Sequence, residues 1–179
     1  MFDGRGIGNG RPLPAGPLRE RADAIWPSEP DTPPRFILVN GRWPAPRERC
    51  FEAERALGGA VALADWSRGG PATREALHAL RGRPVLAAAG IGDPERFFTM
   101  LEAEGLAIER LPLADHAAFD TLPWPAGTAD AVVTEKDAVK LAPHDLGGTR
   151  VWVATLDFGL PPALAHALRE TLAARRPAA

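Results

Sequence analysis

Cysteine is nearly missing from this chain. Cys50 stands alone among 179 residues, which excludes an internal disulfide and the usual cysteine zinc sites and fits a reducing cytoplasm. Charge of one sign is missing too: 21 Lys and Arg face 23 Asp and Glu for a net charge of −2, so no nucleic-acid partner is expected. No apolar run approaches the roughly 20 residues that cross a bilayer, and Met1-Phe2-Asp3 begins no signal peptide. Peripheral contact with a membrane surface stays open. Equally absent are a Gly-x-x-x-x-Gly-Lys-Ser/Thr phosphate loop, a Gly-x-Ser-x-Gly elbow and a metal-spaced His/Glu set. The chain therefore carries no complete catalytic apparatus recognisable from spacing.

What is present begins with proline and glycine. Nineteen prolines concentrate in 12–46, so the front third is expected to be rich in loop. Gly6-Ile7-Gly8-Asn9-Gly10 allows positive φ and close backbone approach, while Pro12, Pro14 and Pro17 should stiffen the following residues into an extended track. The segment delivers a charged pair, Arg19 and Glu20, to a fixed place. Its glycines suit a shaped structural loop, or a backbone cradle for phosphate, although no strand precedes them and no helix follows at once.

The remainder reads as α/β. Phe36-Ile37-Leu38-Val39 is a strand, with Asn40-Gly41 a tight turn into a return strand at Arg42-Trp43. A short strand is expected at Val61–Ala64 and a helix at Ala72–Leu80. Val85–Ala89 is a continuous apolar run, as in a buried parallel strand. Asp93 as N-cap and Pro94 at the first helical position open a helix that ends near Glu104 with Gly105 as C-cap, and Ala107–Leu113 completes a βαβ unit. Asp130–Val133 and Val151–Ala154 are further strands, with a helix at Glu135–Leu141 and a terminal helix opening at Pro161-Pro162. Together these describe a small, mostly parallel sheet with flanking helices behind an irregular Gly/Pro-rich segment. Its divisions are expected at 1–27, 28–157 and 158–179.

Three places could carry chemistry. Gly90-Ile91-Gly92-Asp93 follows a strand end, where α/β sheets receive ligands, but a capping Asp needs no ligand. Asp115-His116 follows another strand end and pairs a carboxylate with an imidazole that titrates at roughly 6.5; a purely structural histidine is the plainer alternative. Thr134-Glu135-Lys136-Asp137 forms a capping box with Thr134 as N-cap and Asp137 at N3, which leaves Glu135 and Lys136 free to meet a ligand or merely solvent.

Taken together, Gly6 to Glu20, Ala89-Gly90-Ile91-Gly92-Asp93-Pro94-Glu95-Arg96-Phe97-Phe98, Asp115-His116 and Thr134-Glu135-Lys136-Asp137-Ala138-Val139-Lys140 closely resemble the carboxyl-terminal half of the tetraacyldisaccharide 4'-kinase family of lipid A biosynthesis. The resemblance implies the second lobe of a P-loop-type kinase at the cytoplasmic face of the inner membrane. Such a kinase moves the γ-phosphoryl group of ATP, with Mg²⁺, onto a disaccharide lipid. It implies further that the phosphate loop and metal-binding acidic residues lie in an amino-terminal half, with a separately encoded half as a candidate partner, and that this chain alone is inactive. Arg19 and Glu20 match the family's Arg-Glu on the nucleotide side, and His116, beside Asp115, matches the histidine thought to approach the reaction centre. Glu135, Lys136 and Asp137 match a signature that supports the site. The family's Asp-His-His reads Asp115-His116-Ala117 here, and the stretch after Glu20 is short by several residues. A non-catalytic α/β module binding lipid or nucleotide is the alternative, and an unrelated phosphosugar-binding α/β protein is a third.

Overall fold

The structure, a computed structural model, describes residues 2–3, 8–21, 36–40, 49–114, 119, 121–141 and 145–174. It divides into two compact units, one formed by Met1–Arg55 with Phe158–Ala179 and the other by Ala56–Asp157.

The first unit holds a three-stranded sheet in the order β1 (Phe2–Asp3), β2 (Ile37–Asn40), β3 (Cys50–Ala53). Both pairings are parallel, with Phe2 opposite Val39 and Ile37 opposite Cys50. This corrects the hairpin expected at Asn40-Gly41: a two-residue turn can only join antiparallel strands, and β2 takes its partner from farther along the chain. The proposed return strand at Arg42-Trp43 lies outside the described residues. Val39 and Ala53 are buried, and the rings of Phe36 and Phe51 sit 6.2 Å apart.

The glycine/proline segment is wound on itself rather than extended. Asn9 donates its side-chain N–H to the Ala15 carbonyl at 2.8 Å and accepts the Arg11 N–H at 3.1 Å. The Leu13 N–H reaches the Leu18 carbonyl at 2.8 Å, and Pro12 bridges Leu18. The cause lies in local side-chain bonding: an Asn carboxamide competes well for backbone groups of a turn. Gly8 and Gly10 take φ of 58° and 71°, as expected of turn glycines. Leu18 is buried, whereas Arg19 and Glu20 are exposed. Residues 18–21 are not helical.

The second unit is a five-stranded sheet with helices on both faces. Its elements are β4 (Arg55–Ala62), α1 (Leu63–Trp66), α2 (Arg74–His78), β5 (Pro84–Ala89), α3 (Pro94–Ala103), β6 (Ala107–Pro112), β7 (Asp130–Thr134), α4 (Glu135–Leu141) and β8 (Arg150–Phe158). The order is β4-β8-β7-β5-β6, and β8, β7, β5 and β6 are mutually parallel. Alternation of side chains splits the core in two. Val85, Ala87, Ala89 and Val132 face α2 and α3 through Leu77, Leu80, Phe97, Phe98 and Leu101. Leu86, Ala88, Ala131 and Val133 face the other side, with Ala138 and Leu141 of α4, Phe119 and Trp124. A strand buried on both faces must be apolar throughout, which is why β5 and β7 were visible in the sequence.

β4 was not visible in full. Within it, Gly59 is where the backbone of Thr73 comes closest, with reciprocal 2.9 Å hydrogen bonds between Ala60 and Thr73. The strand expected at Val61–Ala64 is therefore the end of β4 and the start of α1. The last helix, α5 (Pro162–Ala174), belongs to the first unit. Its Leu164 is buried, while Leu168 and Leu172 are exposed.

Candidate functional site

Strand order fixes where a ligand crevice would open in the second unit. The chain runs from β5 to β6 on one side and from β7 to β8 on the other, so the direction of winding reverses between β5 and β7. In open α/β sheets the carboxyl ends of the two strands at such a reversal flank the crevice that receives ligands. Here those ends are Ala89-Gly90 and Thr134.

The crevice is filled by the protein's own carboxylate. Asp137 is wholly buried. Its Oδ2 accepts the backbone N–H of Gly90 at 2.9 Å and the hydroxyl of Thr134 at 2.7 Å, and its Oδ1 lies 3.2 Å from Lys140 Nζ. Half of the expected capping box is present, since the Asp137 N–H donates to Thr134 Oγ1 at 3.2 Å. The N3 carboxylate also reaches beyond its own helix start: it bonds both the hydroxyl of its N-cap, Thr134, and the Gly90 N–H of the neighbouring strand end. A buried carboxylate is tolerable only with charge-assisted partners of this kind. Gly90 is required by proximity, because a Cβ there would stand 2.9 Å from Asp137 Oδ1 and 3.3 Å from the Ala114 carbonyl. The N–H of Gly90 is thus already satisfied, and the following Asp93 caps α3 through the Arg96 N–H at 3.2 Å. Both observations favour the plain structural reading of the Gly90-Ile91-Gly92-Asp93 turn.

Lys140 extends the cluster. Its ammonium stands 4.9 Å from the centre of the Phe119 ring while paired with Asp137, so a cation is held between a carboxylate and a π face. The sequence offered one signal for this role: Lys140 falls at i+3 from Asp137, on the same helix face.

Of the residues expected to act, the structure brings together Glu135, Lys136 and Asp137 at the start of α4. Glu135 and Lys136 are exposed, and Glu135 Oε2 accepts the Leu156 N–H at 3.5 Å, at the limit of a hydrogen bond. Arg19 and Glu20 are exposed on the other unit. Asp115 and His116 lie outside the described residues. Among the described residues no group of three or more His, Cys, Asp or Glu side chains is arranged to hold a metal ion, and no helix is long and apolar enough to cross a membrane.

A second concavity of about 490 Å³ lies among β4, α1 and the Gly69-Gly70-Pro71 turn, with Trp152 in its wall. The Trp152 indole N–H donates to Asp130 Oδ1 at 3.1 Å. Trp152 and Asp130 belong to the amino-terminal ends of β8 and β7, away from the Gly90–Asp137 cluster.

Comparison with known proteins places this geometry. The family model of tetraacyldisaccharide-1-P 4'-kinase matches residues 1–173. A protein of Methylibium petroleiphilum named tetraacyldisaccharide 4'-kinase is 51% identical over 181 residues, covering 99% of this chain and 49% of that protein. One of Leptothrix cholodnii with the same name is 50% identical, with 99% and 51% covered. The chain thus spans about half the length of these curated relatives. Among solved structures, LpxK from Aquifex aeolicus in complex with ATP superimposes with a TM-score of 0.61 at 19% identity, over 93% of this chain and 48% of that one, which establishes a shared fold. The chain belongs to the tetraacyldisaccharide-1-P 4'-kinase family.

Proposed function

We propose that this chain is the carboxyl-terminal lobe of an ATP-dependent kinase that phosphorylates the 4'-hydroxyl of tetraacyldisaccharide 1-phosphate. The observation that carries the reading is the 51% identity to a named 4'-kinase along 99% of the chain. In the reaction the 4'-oxygen forms a bond to the γ-phosphorus, the bond from that phosphorus to the β–γ bridging oxygen breaks, ADP departs and the hydroxyl proton is lost. Catalysis of this kind consists mainly of positioning and charge neutralisation.

The residues present do not fit the whole task. Neither a phosphate loop nor a metal-holding acidic cluster is found among the described residues, so the triphosphate and Mg²⁺ would be held by the half of the relatives that this chain does not span. Within this reading residues 1–27 belong with the nucleotide lobe and hinge, 28–157 form the carboxyl-terminal lobe, and 158–179 supply a helix that packs back on the other lobe. Arg19 and Glu20 face the nucleotide; their exposure beyond the buried Leu18 anchor supports this. His116, with Asp115, approaches the reaction centre and handles the proton. Asp137 supports the site from below by closing the crevice between β5 and β7, with Glu135 and Lys136 at its rim. The substrate being a lipid, the assembled enzyme works at the cytoplasmic face of the inner membrane.

The test is 4'-kinase assay of the purified chain, alone and fused to the amino-terminal half of the Methylibium petroleiphilum relative. The chain alone is expected to be inactive and the fusion active, with activity lost on Glu20→Ala or His116→Ala. Phosphorylation of the disaccharide lipid by the chain alone would overturn its role as a dependent lobe. An inactive but folded fusion would overturn the kinase reading and favour a binding module.

A further inference from the structure

Three donors meet where the sheet reverses its winding, and each is held there by something other than the anion it serves. The peptide joining Ala89 to Gly90 is fixed through its carbonyl, which accepts the Leu113 N–H at 2.9 Å; planarity then sets the direction of the Gly90 N–H. The Thr134 oxygen accepts the main-chain N–H of Asp137 at 3.2 Å, which leaves its hydrogen to donate to the Asp137 carboxylate at 2.7 Å. The Lys140 ammonium stands 4.9 Å from the centre of the buried Phe119 ring. Gly90 and Thr134 bond Oδ2 of Asp137, and Lys140 reaches Oδ1 at 3.2 Å. Both oxygens of a wholly buried carboxylate are thus met, while none of the three anchors depends on that carboxylate.

We propose that Gly90, Thr134 and Lys140 form an anion receptor with Asp137 as its tethered ligand. A small external carboxylate takes the place when that side chain is shortened, and in the intact chain the place is closed to external anions, phosphate included. The strand ends at a reversal of winding are where ligands commonly enter such a sheet. One negative charge on two acceptor oxygens matches three donors of which one is cationic. Asp137→Ala removes a carbon and two oxygens, the heavy atoms of formate. Water fills the same space without bringing a charge to the ammonium, and an ammonium left there unpaired is costly.

The test compares thermal melts of the 179-residue chain and its Asp137→Ala variant in formate and in formamide, the neutral isostere. Formate at about 0.2 M should raise the Tm of Asp137→Ala by about 4 °C or more, the shift that linkage gives a site of roughly 10 mM affinity. The parent in formate, the variant in formamide and the Asp137→Ala/Lys140→Met double variant in formate should each shift by less than about 1 °C. During the formate titration the Gly90 amide resonance of Asp137→Ala should return toward its parent position. Inorganic phosphate at about 10 mM should leave that resonance unmoved in the parent.

A folded Asp137→Ala protein indifferent to formate overturns the proposal. So does an equal response to formamide, a response to formate that survives Lys140→Met, a parent that responds as its variant does, or a parent whose Gly90 resonance moves with phosphate. Should Asp137→Ala not fold unaided, refolding from urea is the measurement. Recovery with formate and not with formamide supports the receptor; recovery with both, or with neither, overturns it. No kinase activity enters the test, so its outcome is independent of the kinase reading.

Discussion

The backbone N–H of Gly90, at the carboxyl end of β5, donates at 2.9 Å to the carboxylate of Asp137 in the first turn of α4. The bond joins two strand ends between which the sheet reverses its winding, in the place where α/β proteins commonly admit a ligand. A fixed, buried anion occupies that place here.

Removing the anion should be expensive. Asp137→Ala strands the Gly90 N–H, the Thr134 hydroxyl and the Lys140 ammonium together, and loss of one member of a buried pair typically costs about 3–5 kcal/mol. Asp137→Asn keeps one acceptor oxygen and should cost less, about 1–3 kcal/mol. Urea unfolding of the purified chain measures both, and an Asn variant as stable as the parent would show that charge is irrelevant at this position.

Two glycines of one turn should respond in opposite ways to alanine. At Gly90 the added Cβ would lie 2.9 Å from Asp137 Oδ1, inside any ordinary contact, and at Gly92 it would meet nothing within 4 Å. Gly90→Ala should destabilise by about 1–3 kcal/mol, as overpacking does. Gly92→Ala should be neutral or stabilise by up to about 1 kcal/mol through the unfolded chain. Thermal melts of the two variants side by side are sufficient, and equal effects would contradict the packing described.

Glu104, just past α3, should carry part of the acid sensitivity of the second unit. Burial pushes its carboxyl up, but hydrogen bonds from His78 and Arg74 outweigh this and hold it below the usual carboxylate value. The Arg74 guanidinium reaches it at 2.8 and 3.0 Å. A carboxyl depressed in the folded state contributes stability that is fully present above its unfolded pKa, roughly 4.3, and is lost as pH falls through the folded one. The difference in unfolding free energy between the parent and Glu104→Gln should therefore be constant near neutrality and shrink below about pH 4.5. A difference that grows on acidification would reverse the assignment.

In the first unit, Gly16 should tolerate no side chain. A Cβ there would collide with Asn9 Oδ1 and the Arg11 carbonyl, the groups that close the loop. Gly16→Ala should open it, seen as faster amide exchange at Leu13, whose N–H is held by the Leu18 carbonyl at 2.8 Å. Asn9→Ala should do the same more mildly, by about 1 kcal/mol of local protection. Unchanged exchange at Leu13 in Gly16→Ala would contradict the wound loop.

The elements that were legible in the sequence are those whose evidence is local. β5 and β7 announced themselves as unbroken apolar runs, and α3 by Asp93, Pro94 and Gly105 at its ends, because burial on two faces and helix capping are written in consecutive residues. β4 was obscured because Gly59 answers to Thr73, fourteen positions along the chain. The pairing of β2 was misjudged because Asn40-Gly41 has turn chemistry whatever lies beyond it. The family, too, was legible, since its signature blocks are contiguous.

What the sequence determined by itself, then, is the α/β class, the kinase family and the identity of the charged residues Arg19, Glu20, Glu135, Lys136 and Asp137. Tertiary structure alone decided which of those faces solvent and which is entombed. Asp137 and Lys136 are neighbours in the chain with equal claims to the surface, yet one is exposed and the other fully buried. The reason is that β7 lies against β5, so the Gly90 N–H arrives 47 positions away to meet the carboxylate. A buried charge is stable only where its partners converge, and convergence from distant parts of the chain is a property of the fold.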